Sequence, residues 1–201
     1  MMTLHSFSVL SQRLIQLTLV CLAFWPAINQ AADWDIDQLM HDLAQTRSGH
    51  VSFVEKKSIA MLDKPVESSG ELIYSAPDHL EKRTLKPKAE TMILDNGTLL
   101  IERGRQKHSL QLPDYPELAA FIDSIRGTLA GDRRALETNY RLSLEGSRQN
   151  WTLQLLPLEE RMQGVVKRIR ITGVRDAVSR IEIIQADGDS SLLLIDKLPT
   201  P

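Results

Sequence analysis

The feature that most limits what this chain can become is the run of alternating segments filling its second half. "YRLSLEG" places Tyr140, Leu142 and Leu144 on one side, and "NWTLQLLP" does the same with Trp151, Leu153 and Leu155. "VVKRIRITG" sets Ile169 and Ile171 against Arg168 and Arg170, while "SRIEIIQADGDSSLLLID", with Ile183, reads as two strands about a turn at Asp187–Gly188. A side-chain period of two marks strands with one buried face. Strands recurring every ~8–12 residues leave no room for crossover helices, so neighbours must run antiparallel.

The first half repeats the pattern. Val51 and Phe53 share a side in "HVSFVEKKSIAML", Leu72 and Tyr74 in "GELIY", and Met92 and Leu94 in "ETMILDNG". "TLLIE" and "HSLQL" complete that meander. Leu80 opens a further strand after the break at Pro77, and Asn96–Gly97 reads as a tight hairpin turn because both central residues need positive φ. Two stretches have helical spacing instead. "DWDIDQLMHDLAQT" brings Trp34, Leu39, Met40 and Leu43 together from an Asp33 cap, and "PELAAFIDSIRGTLAGD" aligns Leu118, Phe121, Ile122, Ile125 and Leu129 from Pro116. That second helix should break at Gly127 or Gly131, with Asp132 capping a short helix through Leu136. The expected fold is mostly β with α: roughly ten antiparallel strands. A sheet that long must curl or close, and the two amphipathic helical pieces have its concave apolar face as their burial site. It becomes a cupped sheet under a helical lid.

The N-terminus reads differently. His5 and Arg13 precede an apolar run from Leu14 to Pro26, and small residues follow, the order of a secretory signal. The run is shorter than the ~20 residues of a membrane-spanning helix. Residues 1–31 are therefore expected to be an export signal cleaved near Ala31 or Ala32, and residues 32–201 a single domain. The one cysteine, Cys21, falls inside the signal, which leaves the remainder without disulfide or thiol chemistry. Export without disulfides points to the periplasm of a Gram-negative bacterium. The whole chain carries a net charge of −2, and removing one arginine and no acid makes it about −3. Nucleic-acid binders carry a basic face instead, so no nucleic-acid partner is expected.

Catalytic chemistry is hard to find. The histidines outside the signal, His41, His50, His79 and His108, fall on separate elements without metal-ligand spacing. There is no nucleophile elbow, and Asp187 and Asp189 are explained by their turn. No catalytic residue, metal or cofactor is expected, and the protein reads as a binding protein rather than an enzyme. The densest positive region, Lys82, Arg83, Lys86, Lys88, Arg103, Arg105 and Lys107, is an outer solvated face or a rim meeting anionic head groups or an acidic partner. The inward faces read apolar, which leaves room for a ligand under so little helix.

Taken in order, "FVEKK", "SSGELIYSAPDHLEKRTLKP", "ILDNGTLLI", "LAGDRRALETNY", "RLSLEG", "WTLQLLP" and "QADGDSS" resemble the LolA superfamily of periplasmic lipoprotein and lipid carriers. The resemblance implies an unclosed half-barrel lidded by helices, with an acyl-binding cavity and no catalysis. It implies lipid transport by a monomeric, chaperone-like carrier that takes a lipid or acylated ligand from an inner-membrane exporter to an outer-membrane acceptor. The implied cavity is lined by Phe53, Leu72, Tyr74, Leu80, Met92, Leu94, Trp151, Leu153, Ile169, Ile171 and Ile183. Leu118, Phe121, Ile122 and Ile125 would supply the lid. The lipoprotein carriers of that superfamily hold their lid with an arginine just before the strand-ending proline, where this chain has Ala76. The chain also stops at "IDKLPTP", where those carriers add a strand. Both departures imply a shorter, divergent member whose cargo is a lipid or lipid-linked product, with a lipoprotein kept among the alternatives. The alternative function within the superfamily is an envelope lipid-sensing regulatory module.

Overall fold

Asp35 starts the first helix. Its carboxylate accepts the Gln38 amide at 2.8 Å, which caps α1 (Ile36–Ala44) two residues later than an Asp33 cap would place it. The computed structural model describes residues 34–198, so the expected export signal, Cys21 and Asp33 lie outside the described residues. Six strands follow: β1 (Ser48–Ser58), β2 (Val66–Ser75), β3 (His79–Lys86), β4 (Glu90–Asp95), β5 (Thr98–Arg103) and β6 (Gln106–Gln111). The hairpin at Asn96–Gly97 has φ of 46° and 74°, as that turn requires. A 3₁₀ turn at Leu112–Asp114 leads into α2 (Pro116–Ala130) and α3 (Arg133–Asn139). The remainder is β7 (Tyr140–Ser147), β8 (Asn150–Pro157), a one-turn α4 (Glu160–Gln163), β9 (Val166–Val174), β10 (Ala177–Gln185) and β11 (Ser190–Lys197).

The break in the helical insert falls at Gly131, which caps α2 in the left-handed region at φ 66°. A Cβ there would lie 2.1 Å from the Met40 carbonyl oxygen, so the same glycine lets α1 pass close to the α2–α3 corner. Asp132 caps α3 by accepting the Ala135 amide at 3.0 Å, and the helix runs to Asn139 rather than stopping at Leu136.

All eleven strands belong to one antiparallel sheet in the order β6-β5-β4-β3-β2-β1-β11-β10-β9-β8-β7. The chain lays its first six strands outward, crosses to the opposite edge through α2 and α3, and works back until β11 pairs with β1. Neither β6 nor β7 closes onto the other, so the sheet is an unclosed half-barrel. A register shift at Ser69/Gly70 marks a local irregularity between β2 and β3. A Cβ on Gly70 would sit 1.8 Å from the Arg83 carbonyl oxygen, so only glycine permits that approach.

The ladder registers define one inner face. Phe53 faces Gly70 and Ile195, Leu72 faces Lys82, which faces Met92, and Leu80 faces Leu94. On the other side, Ile183 pairs with Ile169, and Ile171 with Leu153. The helices bury their apolar sides against this face. Leu39, Met40 and Leu43 of α1 join Trp151, Leu153, Leu155, Ile169 and Ile171 in the larger core cluster, and Leu94, Leu99 and Leu112 form a smaller one. At ~1.5–3 kcal/mol for each fully buried large aliphatic or aromatic side chain, the larger cluster dominates the stability of the fold.

Candidate functional site

The strands place all eleven sheet residues of the implied cavity on the inner face, but in different environments. Trp151, Leu153, Ile169 and Ile171 are at most 1% exposed in the core cluster that α1 shares. Leu94 is buried in the smaller cluster. Phe53 and Tyr74 are buried on the strands between. Leu72, Leu80, Met92 and Ile183 remain half-buried, as do Ile101, Leu193 and Ile195 on the same face. The registers thus bring together one apolar surface, with one end sealed under α1 and the middle less fully covered.

The lid helix departs from a simple apolar stripe. The residues of α2 that are most buried are small: Ala120, Ser124, Gly127 and Thr128. A Cβ on Gly127 would meet the Leu136 side chain at 3.0 Å, so this side of the helix sits against α3. The Tyr140 hydroxyl donates to the Ala120 carbonyl at 3.3 Å, and burial pushes its pKa up to about 12. The larger residues straddle the two clusters while staying half-buried: Leu118 and Ile122 pack on the smaller, Phe121 and Ile125 on the larger. Amphipathic spacing identified these side chains, but not that the small residues between them form the tight seam.

Two ion pairs fix α1: Arg148 grips Asp42 at 2.7 and 3.0 Å, and Arg133 reaches Asp37 at 2.9 Å. Among the described residues, a single one ties α2 to the β2–β3 turn. Arg126 Nη1 donates to Asp78 in the β2–β3 turn at 2.8 Å, while Nη2 holds Asp123 one turn back. With the uncharged Ala76 before Pro77, the contact between α2 and the β2–β3 turn is made by a cation on the helix and an acceptor on the turn.

The inner face is not wholly apolar, contrary to the expectation from sequence. Glu55 is 6% exposed on β1, two residues from Phe53. Ser191 donates to its Oε1 at 2.7 Å, and Lys82 Nζ to its Oε2 at 2.5 Å. Lys57 lies 3.6 Å from Oε1, and Ser68 donates to Oε2 at 3.4 Å. Burial opposes ionisation of Glu55, but the Lys82 hydrogen bond and charge, with help from Ser191 and Lys57, hold its pKa below the ordinary 4.5. Lys82 also sits over the Phe53 ring, 5.0 Å from its centroid. Lys82 therefore belongs inside the cup rather than to a solvated outer patch. Strict alternation contained the signal, since a strand with Phe53 inward must turn Glu55 and Lys57 inward too. The rest of the positive region is partly neutralised, with Arg83 on Glu81, Arg103 on Glu90 and Lys107 on Glu102.

Among the described residues, no group of three or more His, Cys, Asp or Glu side chains is placed to hold a metal. No described helix is long and apolar enough to cross a membrane.

Among solved structures, one similar to this chain is a LolA superfamily protein from Nitrosomonas europaea, at 11% identity and a TM-score of 0.42, covering 82% of this chain and 94% of that one. The complex of MucA and MucB from Pseudomonas aeruginosa matches at 14% identity and a TM-score of 0.45, over 82% of this chain and 56% of the other. LprF from Mycobacterium bovis matches at 13% identity and a TM-score of 0.35, over 83% and 94%. No curated protein sequence matches significantly. The family model described as outer membrane lipoprotein carrier protein LolA-like matches residues 28–197, nearly the whole of the half-barrel and its helices, and the chain belongs to that LolA-like family.

Proposed function

We propose that this protein is a periplasmic carrier that takes acyl chains of a lipid or lipid-linked product onto the inner face of its half-barrel. In this reading residues 1–31 direct export, an inner-membrane exporter supplies the ligand, and an outer-membrane acceptor receives it. Family membership supports the class of function. The observation that carries the reading is the packing of α2. The helix anchors itself through Ala120, Ser124, Gly127 and Thr128, leaving Leu118, Phe121, Ile122 and Ile125 half-buried opposite a half-buried apolar sheet. Large apolar side chains left half-buried on α2 are surface that a bound acyl chain can cover, and covering it is favourable.

Transfer needs no nucleotide in this scheme. Each methylene removed from water is worth ~0.8 kcal/mol, so one long chain brings ~10 kcal/mol gross. Nearly all of that is offset because the chain leaves an equally apolar bilayer. Small differences between donor, cup and acceptor then set the direction. Leu72, Leu80, Met92, Ile183, Phe121 and Ile125 are the residues proposed to touch the chain first, with Phe53, Tyr74 and Leu94 beneath them. Trp151, Leu153, Ile169 and Ile171 would be reached only if α1 shifts.

Native mass spectrometry of protein purified from a periplasm, with extraction of its bound lipid and titration with a fluorescent fatty acid, tests the proposal. A stoichiometric co-purifying lipid and saturable uptake are expected. Absence of both overturns the carrier reading.

A further inference from the structure

On the binding reading above, the inner face also holds a polar site within its apolar surface. We infer that Lys82, set by Glu55 and Phe53, receives the anionic head group, a phosphate or phosphate-like ester, of an amphiphile whose chain lies on the neighbouring strands.

Position comes first. Lys82 pairs with Leu72 on one side and Met92 on the other, both half-buried on the inner face, so its ammonium stands beside the apolar surface proposed for the chain. Its side chain keeps 27% of its exposure even with the Glu55 contact in place. An ammonium has three donors; Glu55 takes one, and the others remain for an incoming acceptor. Charge comes next. One carboxylate, Glu55, stands against two ammonium groups, Lys57 and Lys82, so the cluster carries a net charge of +1. Both Glu55 oxygens already accept hydrogen bonds, from Ser191 and from Lys82, which aims the carboxylate at its partners rather than at a ligand.

A second buried polar group lies on the same face: Tyr74, diagonal to Lys82 in the β2–β3 register, is 7% exposed, and its hydroxyl has no hydrogen-bond partner among the described residues. Its charged neighbours are Arg47 and Asp78, so it is a separate polar point on the surface rather than part of the Lys82 cluster. An ion pair is also a poor choice for stability alone, since well-packed apolar residues at such positions are often at least as stable. The cluster adds recognition to a surface that acyl chains alone would not distinguish.

The test uses matched chains. Displacement of N-phenyl-1-naphthylamine, an uncharged amphiphile, is measured with dodecyl phosphate, dodecanol, dodecyltrimethylammonium and inorganic phosphate, all below micelle formation. The wild type should prefer dodecyl phosphate over dodecanol by about tenfold, the size of one charge-assisted hydrogen bond, and should bind the ammonium amphiphile least. The paired variant Glu55→Gln with Lys82→Met keeps the cluster's net charge at +1, now on the solvent-exposed Lys57 alone, but removes the ammonium beside the apolar surface; it should lose the preference while still binding dodecanol. Lys82→Arg should keep most of it. Equal binding of phosphate and alcohol by the wild type, or an unchanged preference in the paired variant, overturns the head-group site and leaves the carrier reading standing. Displacement by inorganic phosphate as strong as by dodecyl phosphate overturns the amphiphile as its source. Failure of every chain to bind overturns the carrier reading itself.

Discussion

Separating Arg126 from Asp78 should loosen α2 over the cup without disturbing the core. The pair is half-exposed, with side chains 33% and 40% accessible, so it belongs to the class worth about 0.2–1 kcal/mol rather than to buried bridges. At the upper end, its loss raises the population of lid-open molecules about fivefold. Asp78→Ala is the cleaner single change, because Arg126 also holds Asp123 within the helix at 2.8 Å. A double-mutant cycle with Arg126→Ala isolates the coupling. Amide hydrogen exchange over Leu118–Ala130 should accelerate up to about fivefold in either variant, while amides of β8 and β9 beneath α1 stay unchanged. Uptake of a fluorescent fatty acid should become faster in the same proportion. Added salt should accelerate the wild type toward the variants and act less on the variants, which keep other exposed pairs but no longer have the one that joins α2 to the turn. Exchange that rises equally in β8 and β9, or salt that acts on wild type and variants alike, would refute this role for the Arg126–Asp78 pair.

Two further outcomes follow from the same geometry. Leu153→Ala, in a fully buried core position, should cost about 2–5 kcal/mol in urea unfolding; Phe121→Ala, half-buried on the lid, should cost clearly less while weakening acyl uptake more. Glu55 supplies a pH dependence: with its folded pKa depressed below 4.5, it stabilises the protein above the unfolded carboxylate pKa. That contribution disappears as pH falls through the folded value, so urea titrations at pH 7 and across the range below 4.5 should show a decline that Glu55→Gln flattens.

Much of this molecule is written in its period-two pattern. Alternation at Leu142/Leu144, Leu153/Leu155 and Ile169/Ile171 places those residues on the inner face without any structure, and Asn96–Gly97 and Gly131 act as turn and cap for reasons local to themselves. The pairing of β1 with β11, which closes the middle of the sheet, has no such local signal, because the partners lie at opposite ends of the chain. Alternation also says which way a side chain faces, not what covers it. Leu153 and Leu72 look alike as sequence, yet one is sealed in the cluster that α1 shares and the other remains half-buried. Glu55 and Lys82 face inward by the same count, but a charged residue inside an alternating strand carries no hydrophobic signal of its burial. The Arg126–Asp78 contact joins two elements whose meeting depends on the path of α2, which composition does not encode.

The central claim is that an acyl chain lies on the inner face beneath α2. Photocrosslinking with a fatty acid bearing a diazirine near its tail, followed by peptide mapping, reads that location directly. The account predicts adducts on inner-face and lid residues, with Leu72, Met92, Phe121 and Ile125 foremost, suppressed by excess unlabelled fatty acid. Adducts that concentrate on the opposite face, at Ile93, Leu100 or Leu194, or that excess ligand does not suppress, would contradict it.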